Sequence, residues 1–377
     1  MIIVDAHEDL AWSMLTFGRD LTLPAAETRR REAGTPNPAQ GGDTLLGWAD
    51  YQQGQVAVVF ATLFATPTRH SPDSWDILKY KDAEEARSLY RAQADLYHKL
   101  VDEYPDKFHL VLNRPDLEKV LEAWQSPSGG KYPDQDGRPE DMEAGGSPVG
   151  LVILMEGAEG VRNLDELVEW WQLGVRLIGL AWAGNDYCGG TREPGPLTRE
   201  GYALLEAMAD LGFGLDLSHM DEKAALQALD SYPTTILATH ANALALLKGS
   251  DNNRHLSDRV IRGLLEREGV IGVVPYNPFL VVGWKTGDKR ESVSLHHLVA
   301  QIDYICQMSG DARHVGLGSD FDGGFGLQST PAEIDTIADL QKLVPLLQER
   351  GYSEADIAGI LGENWITVLR RSLPEVG

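Results

Sequence analysis

Short, nearly unbroken apolar runs alternate along the chain with longer stretches whose apolar residues recur at helical spacing. The runs are MIIVDAH (1–7), VAVVFATLF (56–64), VGLVILMEG (149–157), RLIGLAW (176–182), GFGLDLSH (212–219), TTILATH (234–240), GVIGVVPYN (269–277) and HVGLGSDF (314–321). Continuous Val, Ile, Leu and Phe marks strands buried on both faces, as in a parallel sheet covered by helices. Stretches such as NLDELVEWWQLG and DEKAALQALDSY have the amphipathic spacing of those helices. The C-terminal SEADIAGILGENWITVLRRSL reads as a further helix with Ser353 as its N-cap. Eight strands alternating with helices predict an α/β fold, a single (β/α)8 TIM barrel over residues 1–377.

Such a barrel needs roughly 250 residues, so the 377-residue chain must carry long loop and helical insertions. They are placed at the polar stretch 23–44, the charged helical stretch 76–104 and the Gly/Pro/Asp-rich stretch 126–148. FHLVLN (108–113) also has strand composition. No polar residue closes it in the way described next, so it is read as peripheral.

The active site of a (β/α)8 barrel is built at the carboxyl ends of its strands. The first run delivers His7 and Asp9, which share a face if the backbone stays extended. The third delivers Glu156, the fifth His219, the sixth His240 and the eighth Asp320. A lone histidine at a strand end is ordinarily a hydrogen-bonded rim residue, and HED alone is a solvated charge cluster. Here three of ten histidines and three carboxylates meet on one rim. Carboxylates grouped in a buried place are costly unless a cation neutralises them. Imidazole and carboxylate donors suit zinc or another borderline divalent ion. Five ligands exceed the three that one open catalytic zinc uses. Two ions are therefore expected, with His7 and Asp9 on one, His219 and His240 on the other, and Glu156 offering one oxygen to each. Asp320 is left beside the shared water as proton carrier. Asp5 supports from behind, and Glu8 points away.

Composition narrows the partners. Lys and Arg total 33 against 57 Asp and Glu, a net charge of −24, which argues against nucleic acid or an anionic membrane surface. Two cysteines, Cys188 and Cys306, form no CxxC pair and suit neither a disulfide framework nor a thiolate zinc site. No basic segment precedes an apolar stretch, and no run of ~18 apolar residues exists. A cytoplasmic protein is the expectation.

The stretches DAHEDLAW, LMEGAEG, GLDLSH, ILATHANA, NNRHLSDRVI, VGLGSDFDGG and LGENWITVL follow one another through most of the chain. Together they resemble the membrane (renal) dipeptidase family of zinc peptidases, within the amidohydrolase-like barrels. The resemblance implies two zinc ions on His7, Asp9, Glu156, His219 and His240, with Glu156 bridging. It also implies Asp320 as the catalytic carboxylate and Arg254 as the group that holds the substrate's free carboxylate. A dipeptide substrate and a homodimer are implied as well. Taken alone, Arg254 in SDNNRHLSD reads as a surface arginine at a helix start. In one departure, LIGLAWAGND has Trp182 where many relatives place a substrate-contacting histidine. A tryptophan at a strand end ordinarily packs, and this one removes a donor that could polarise the scissile carbonyl. The expected reaction is hydrolysis of a dipeptide by a metal-bridging hydroxide. The rival readings are the same metal chemistry on an N-acyl amino acid, a cyclic amide or a lactone, and a catalytically silent barrel that only binds. The complete ligand set argues against the last.

Overall fold

The computed structural model describes residues 1–71, 74–125 and 146–376. Its central element is a ring of eight parallel strands: β1 (Ile3–Glu8), β2 (Val56–Leu63), β3 (Val149–Glu156), β4 (Val175–Gly179), β5 (Gly214–Asp216), β6 (Ile236–Leu237), β7 (Ile271–Val273) and β8 (Val315–Leu317). Hydrogen bonding runs in chain order from β1 to β6, and β1 also pairs with β8, which pairs with β7. The ring closes where Ala238, just past β6, bridges Ile271 of β7. Ala238 donates to the Val270 carbonyl at 3.0 Å, and Gly272 donates back to Ala238 at 2.8 Å. The predicted barrel is the observed one.

Its tightest point explains two glycines. A Cβ on Gly272 or Gly318 would lie 1.9 or 1.8 Å from the Thr239 carbonyl oxygen. Only glycine lets β7 and the end of β8 approach the residue beside His240 that closely.

Three of the strands that lead to the site stop short of their apolar runs. β5, β6 and β8 end at Asp216, Leu237 and Leu317, so His219, His240 and Asp320 lie in the turns that follow, not on the ladder. At β5 and β6 the cause is a side chain. Asp216 Oδ1 accepts from the Ser218 and Thr239 amides at 3.0 and 2.9 Å, taking over where main-chain pairing stops.

Phe108–Leu110 joins the sheet as a ninth strand, pairing with β3 at Val149–Leu151. β4 pairs with β3 only from Ile153 onward, so the two share one edge. The extra strand sits at the end remote from Glu156, outside the chemistry. The insertion at 23–44 carries the helices Ala25–Glu32 and Asn37–Gly41. The one at 76–104 is mainly the helix Ala83–Glu103, capped by Asp82 accepting from the Glu85 amide. Residues 126–145 of the third lie outside the described residues.

Ser353 caps the C-terminal helix by accepting from the Asp356 amide, but the helix is not regular. A π turn over Gly359–Glu363 precedes Asn364–Ser372. At that point the chain is pinned to β8: the Asn364 amide donates to the Val315 carbonyl at 2.8 Å, and the Trp365 indole to Leu317 at 3.0 Å. The described residues include no helix long and apolar enough to cross a membrane. Cys188 and Cys306 are free and buried.

Candidate metal centre

Six residues chosen from strand ends converge at the carboxyl rim. Glu156, closing β3, lies among three imidazoles. Its Oε2 is 3.4 Å from His7 Nε2, while Oε1 is 2.9 Å from His219 Nε2 and 3.3 Å from His240 Nε2. Two sets of donor atoms each gather within 4.8 Å: His7, Asp9 and Glu156, and Glu156, His219 and His240. Asp320 Oδ1 stands 3.9 Å from His7 Nε2.

The imidazoles face inward because their far nitrogens are occupied. Thr239 donates to Asp216 Oδ2 at 2.6 Å, so its hydroxyl oxygen is left to accept from His240 Nδ1 at 2.9 Å. That fixes the proton on Nδ1 and aims the Nε2 lone pair at Glu156. Thr191 does the same for His219, 2.9 Å from its Nδ1. As a result His219 Nε2 and His240 Nε2 face each other at 3.0 Å, and His7 Nε2 is buried with no hydrogen-bond partner. Bare nitrogens converging on one carboxylate suit a divalent cation, which would satisfy them all at once. A third set, His7, Asp216 and His240, also falls within 4.8 Å. Asp216 already accepts four hydrogen bonds, from the amides and hydroxyls of Ser218 and Thr239, so both its oxygens are engaged in holding the turns.

The electrostatics point the same way. Burial and then the Glu156 charge push the Asp9 carboxyl up to about 7. Burial, joined by the Asp9 and Glu156 charges, pushes Asp320 well above the usual carboxylate range. Burial opposes a charged His7, yet Glu156, Asp9 and Asp320 outweigh it and hold the imidazole up at about 9. Burial drives His219 down to about 3. Without a cation the cluster must take up protons to balance its carboxylates.

The remaining neighbours differ in kind. Thr62 of β2 donates to Asp9. Asp5 accepts from the Ser319 and His7 amides at 2.7 and 3.4 Å, holding the backbone on both sides of the site. Glu8 is buried outside both donor sets and receives the Tyr51 hydroxyl. Asp320 and Asp322 both have left-handed backbone, φ 59° and 62°. Asp322 is turned to Arg19 at 3.1 Å, the Leu45 amide at 2.9 Å and the Thr44 hydroxyl. Arg19 in turn grips Glu32 at 3.0 and 3.1 Å, tying the first insertion to the rim.

Arg254 is 2% exposed, which overturns its reading as a surface arginine. Its Nη1 and Nη2 donate to the Ser218 and His240 carbonyls, each at 2.5 Å, while Nε has no partner. With Asp9, Glu156, His219, Trp182 and Asp320 it borders a pocket of about 440 Å³, within the usual range for small-molecule sites. His7 and His240 lie buried below it.

Thr62, Thr191, Thr239 and Asp216 escape a search for strand-end ligands. Thr239 beside His240 and Asp216 three residues before His219 were visible signals. Thr191 was not, because it arrives on the hairpin Cys188–Gly190/Glu193–Leu197.

Residues 138–373 match the profile described as membrane dipeptidase, peptidase family M19. An uncharacterized protein of the pqqA 5′ region in Klebsiella pneumoniae is 33% identical over 231 residues, covering 58% of this chain and 81% of its own. The dipeptidase tcpJ of Claviceps purpurea is 25% identical over 341 residues, covering 86% and 69%. Among solved structures, a metallo peptidase from Rhodobacter sphaeroides, liganded with a phosphinate mimic of the dipeptide L-Ala-D-Ala, superposes with a TM-score of 0.75 at 22% identity and 99% coverage of both chains. The chain belongs to the membrane dipeptidase family, peptidase family M19, and is a hydrolase of the metallo-dipeptidase type.

Proposed function

We propose that the protein is a binuclear zinc dipeptidase. One observation carries this reading: the two oxygens of Glu156 divide between His7 on one side and His219 with His240 on the other. A bridging carboxylate between two ions would divide in this way. His7 and Asp9 would hold one ion, and His219 and His240 the other. When bound, a pair of such ions acidifies a shared water and polarises the carbonyl it attacks.

The protein's own groups supply the rest. Asp320 is placed to take the proton released by the attacking water and return it to the leaving amine. Arg254, held rigidly by two strand-end carbonyls, keeps its Nε–H and a second Nη2–H for a carboxylate. That edge of a guanidinium can bind both oxygens at once. The dipeptidase named among the relatives and the dipeptide mimic bound to the structural neighbour support a dipeptide substrate. An N-acyl amino acid has the same carboxylate and amide without the ammonium, so it is the comparison substrate.

Alanyl-alanine is expected to be cleaved, and its C-terminal amide to lose at least ~1.5 kcal/mol of transition-state binding, about tenfold in kcat/KM. Arg254→Ala should leave both substrates equally poor. Wild type cleaving amide and acid alike would sink the clamp and move cyclic amides or lactones ahead. Faster cleavage of N-acetylalanine than of alanyl-alanine would replace the dipeptidase reading.

A further inference from the structure

Beyond the barrel core lies a second apolar cluster with no part in the chemistry above. Trp12, Phe64 and Leu78 are buried in it, with Phe17, Trp75 and Trp182 packed around them. The rings touch in series: Trp12 meets Phe17 edge-on at 5.3 Å, Phe17 stacks on Trp75 at 5.9 Å, and Phe64 lies 5.5 Å from Trp182. Four of them, Trp12, Phe64, Trp75 and Trp182, border the same pocket as Glu156, Asp320 and Arg254.

Barrel order gives that wall its meaning. Trp12 follows β1, while Phe64 and Trp75 follow β2. Arg254 is bonded to Ser218 and His240, just beyond β5 and β6. In a ring of eight strands these pairs are diametrically opposed, with the Glu156 cluster between them. A substrate whose carboxylate is on Arg254 and whose amide lies over Glu156 extends its other end toward the aromatic wall. In a dipeptide that end is the N-terminal residue. Trp182, 5.9 Å from the His219 ring, continues the wall down to the floor.

We propose that this wall is the subsite for the N-terminal side chain and makes the enzyme selective for dipeptides beginning with a large apolar or aromatic residue. The inference rests on the dipeptidase reading above. The partly exposed faces of Trp75 and Trp182, backed by the buried Trp12 and Phe64, gain by covering an apolar side chain. They offer nothing to glycine and penalise a charged side chain by desolvation. Trp182 accordingly serves as a contact surface and not as a carbonyl-polarising donor.

The test is kcat/KM on phenylalanyl-alanine, leucyl-alanine, lysyl-alanine and glycyl-alanine, each with the C-terminal residue in both configurations. Wild type should favour the phenylalanyl over the glycyl substrate at least tenfold, with lysyl no better than glycyl. Trp75→Ala and Trp182→Ala should each collapse the phenylalanyl-to-glycyl ratio toward one. Both side chains are only partly buried, and circular dichroism with metal content checks that each variant is intact. Cleavage of glycyl and phenylalanyl substrates at equal rates overturns the subsite and leaves the dipeptidase intact. So does a ratio unchanged in both variants, or a preference that follows the C-terminal residue. Cleavage of none of the dipeptides overturns both.

Discussion

Glu156→Gln is expected to leave the protein with fewer than one bound ion per chain and dipeptide hydrolysis at background. Wild type prepared with excess zinc should carry about two. The argument is geometric. Glu156 is the only residue common to both donor sets, so its loss removes a ligand from each. Glutamine keeps the size and one acceptor oxygen but turns the other into an amide donor, facing bare imidazole nitrogens instead of a cation. His7→Ala and His219→Ala should instead each leave about one ion, because each belongs to only one of the two sets that share Glu156. The barrel should survive all three changes, since its eight strands are closed by main-chain bonds and packed around a continuous core independent of the cluster. Elemental analysis with circular dichroism on the same samples decides it. Two ions retained by Glu156→Gln would rule out the bridge.

That these residues stand out in the sequence has a physical basis. Strands buried on both faces must be apolar, so a charged or imidazole residue at the end of such a run stands out. His7, Glu156 and Asp320 were legible for that reason. What the sequence hid depends on loops folding back over the rim. Thr191 reaches His219 only because the hairpin at 188–197 turns through Arg192, a left-handed residue with φ 66°. Trp12 and Trp75 lie far apart along the chain, and only the fold makes them neighbours, at 6.3 Å. Taken alone, Arg254 reads as exposed, because nothing in SDNNRHLSD tells that two carbonyls in the turns after β5 and β6 will draw its guanidinium inward. The ends of β5, β6 and β8 were overrun because apolar composition continues into turns where side chains replace the ladder.

The second large effect is expected at Asp320. Asp320→Asn should lower kcat by ~10²-fold or more, the scale of general acid–base catalysis, with KM little changed and both ions retained. Asparagine is the informative replacement because residue 320 has left-handed backbone, φ 59°, which Asn tolerates and Ala does not. It also fits the space that Gly323 leaves: a Cβ on that glycine would fall 2.3 Å from Asp320 Oδ1 and 2.6 Å from Asp9 Oδ2. The variant therefore changes the proton chemistry and little else. Burial and the Asp9 and Glu156 charges favour the protonated form of Asp320. Cations beside it would offset those charges and free the carboxylate to accept a proton, while keeping it basic enough to release that proton to an amine. Asp322, two residues on, cannot take over. Its oxygens are committed to Arg19, Thr44 and the Leu45 amide, and it has no place on the pocket. Asp322→Asn should accordingly act through stability, by loosening Arg19 and the first insertion, with kcat per folded molecule close to wild type. Single-turnover rates on metal-replete protein separate the two. A near-normal rate in Asp320→Asn would mean that a different group carries the proton.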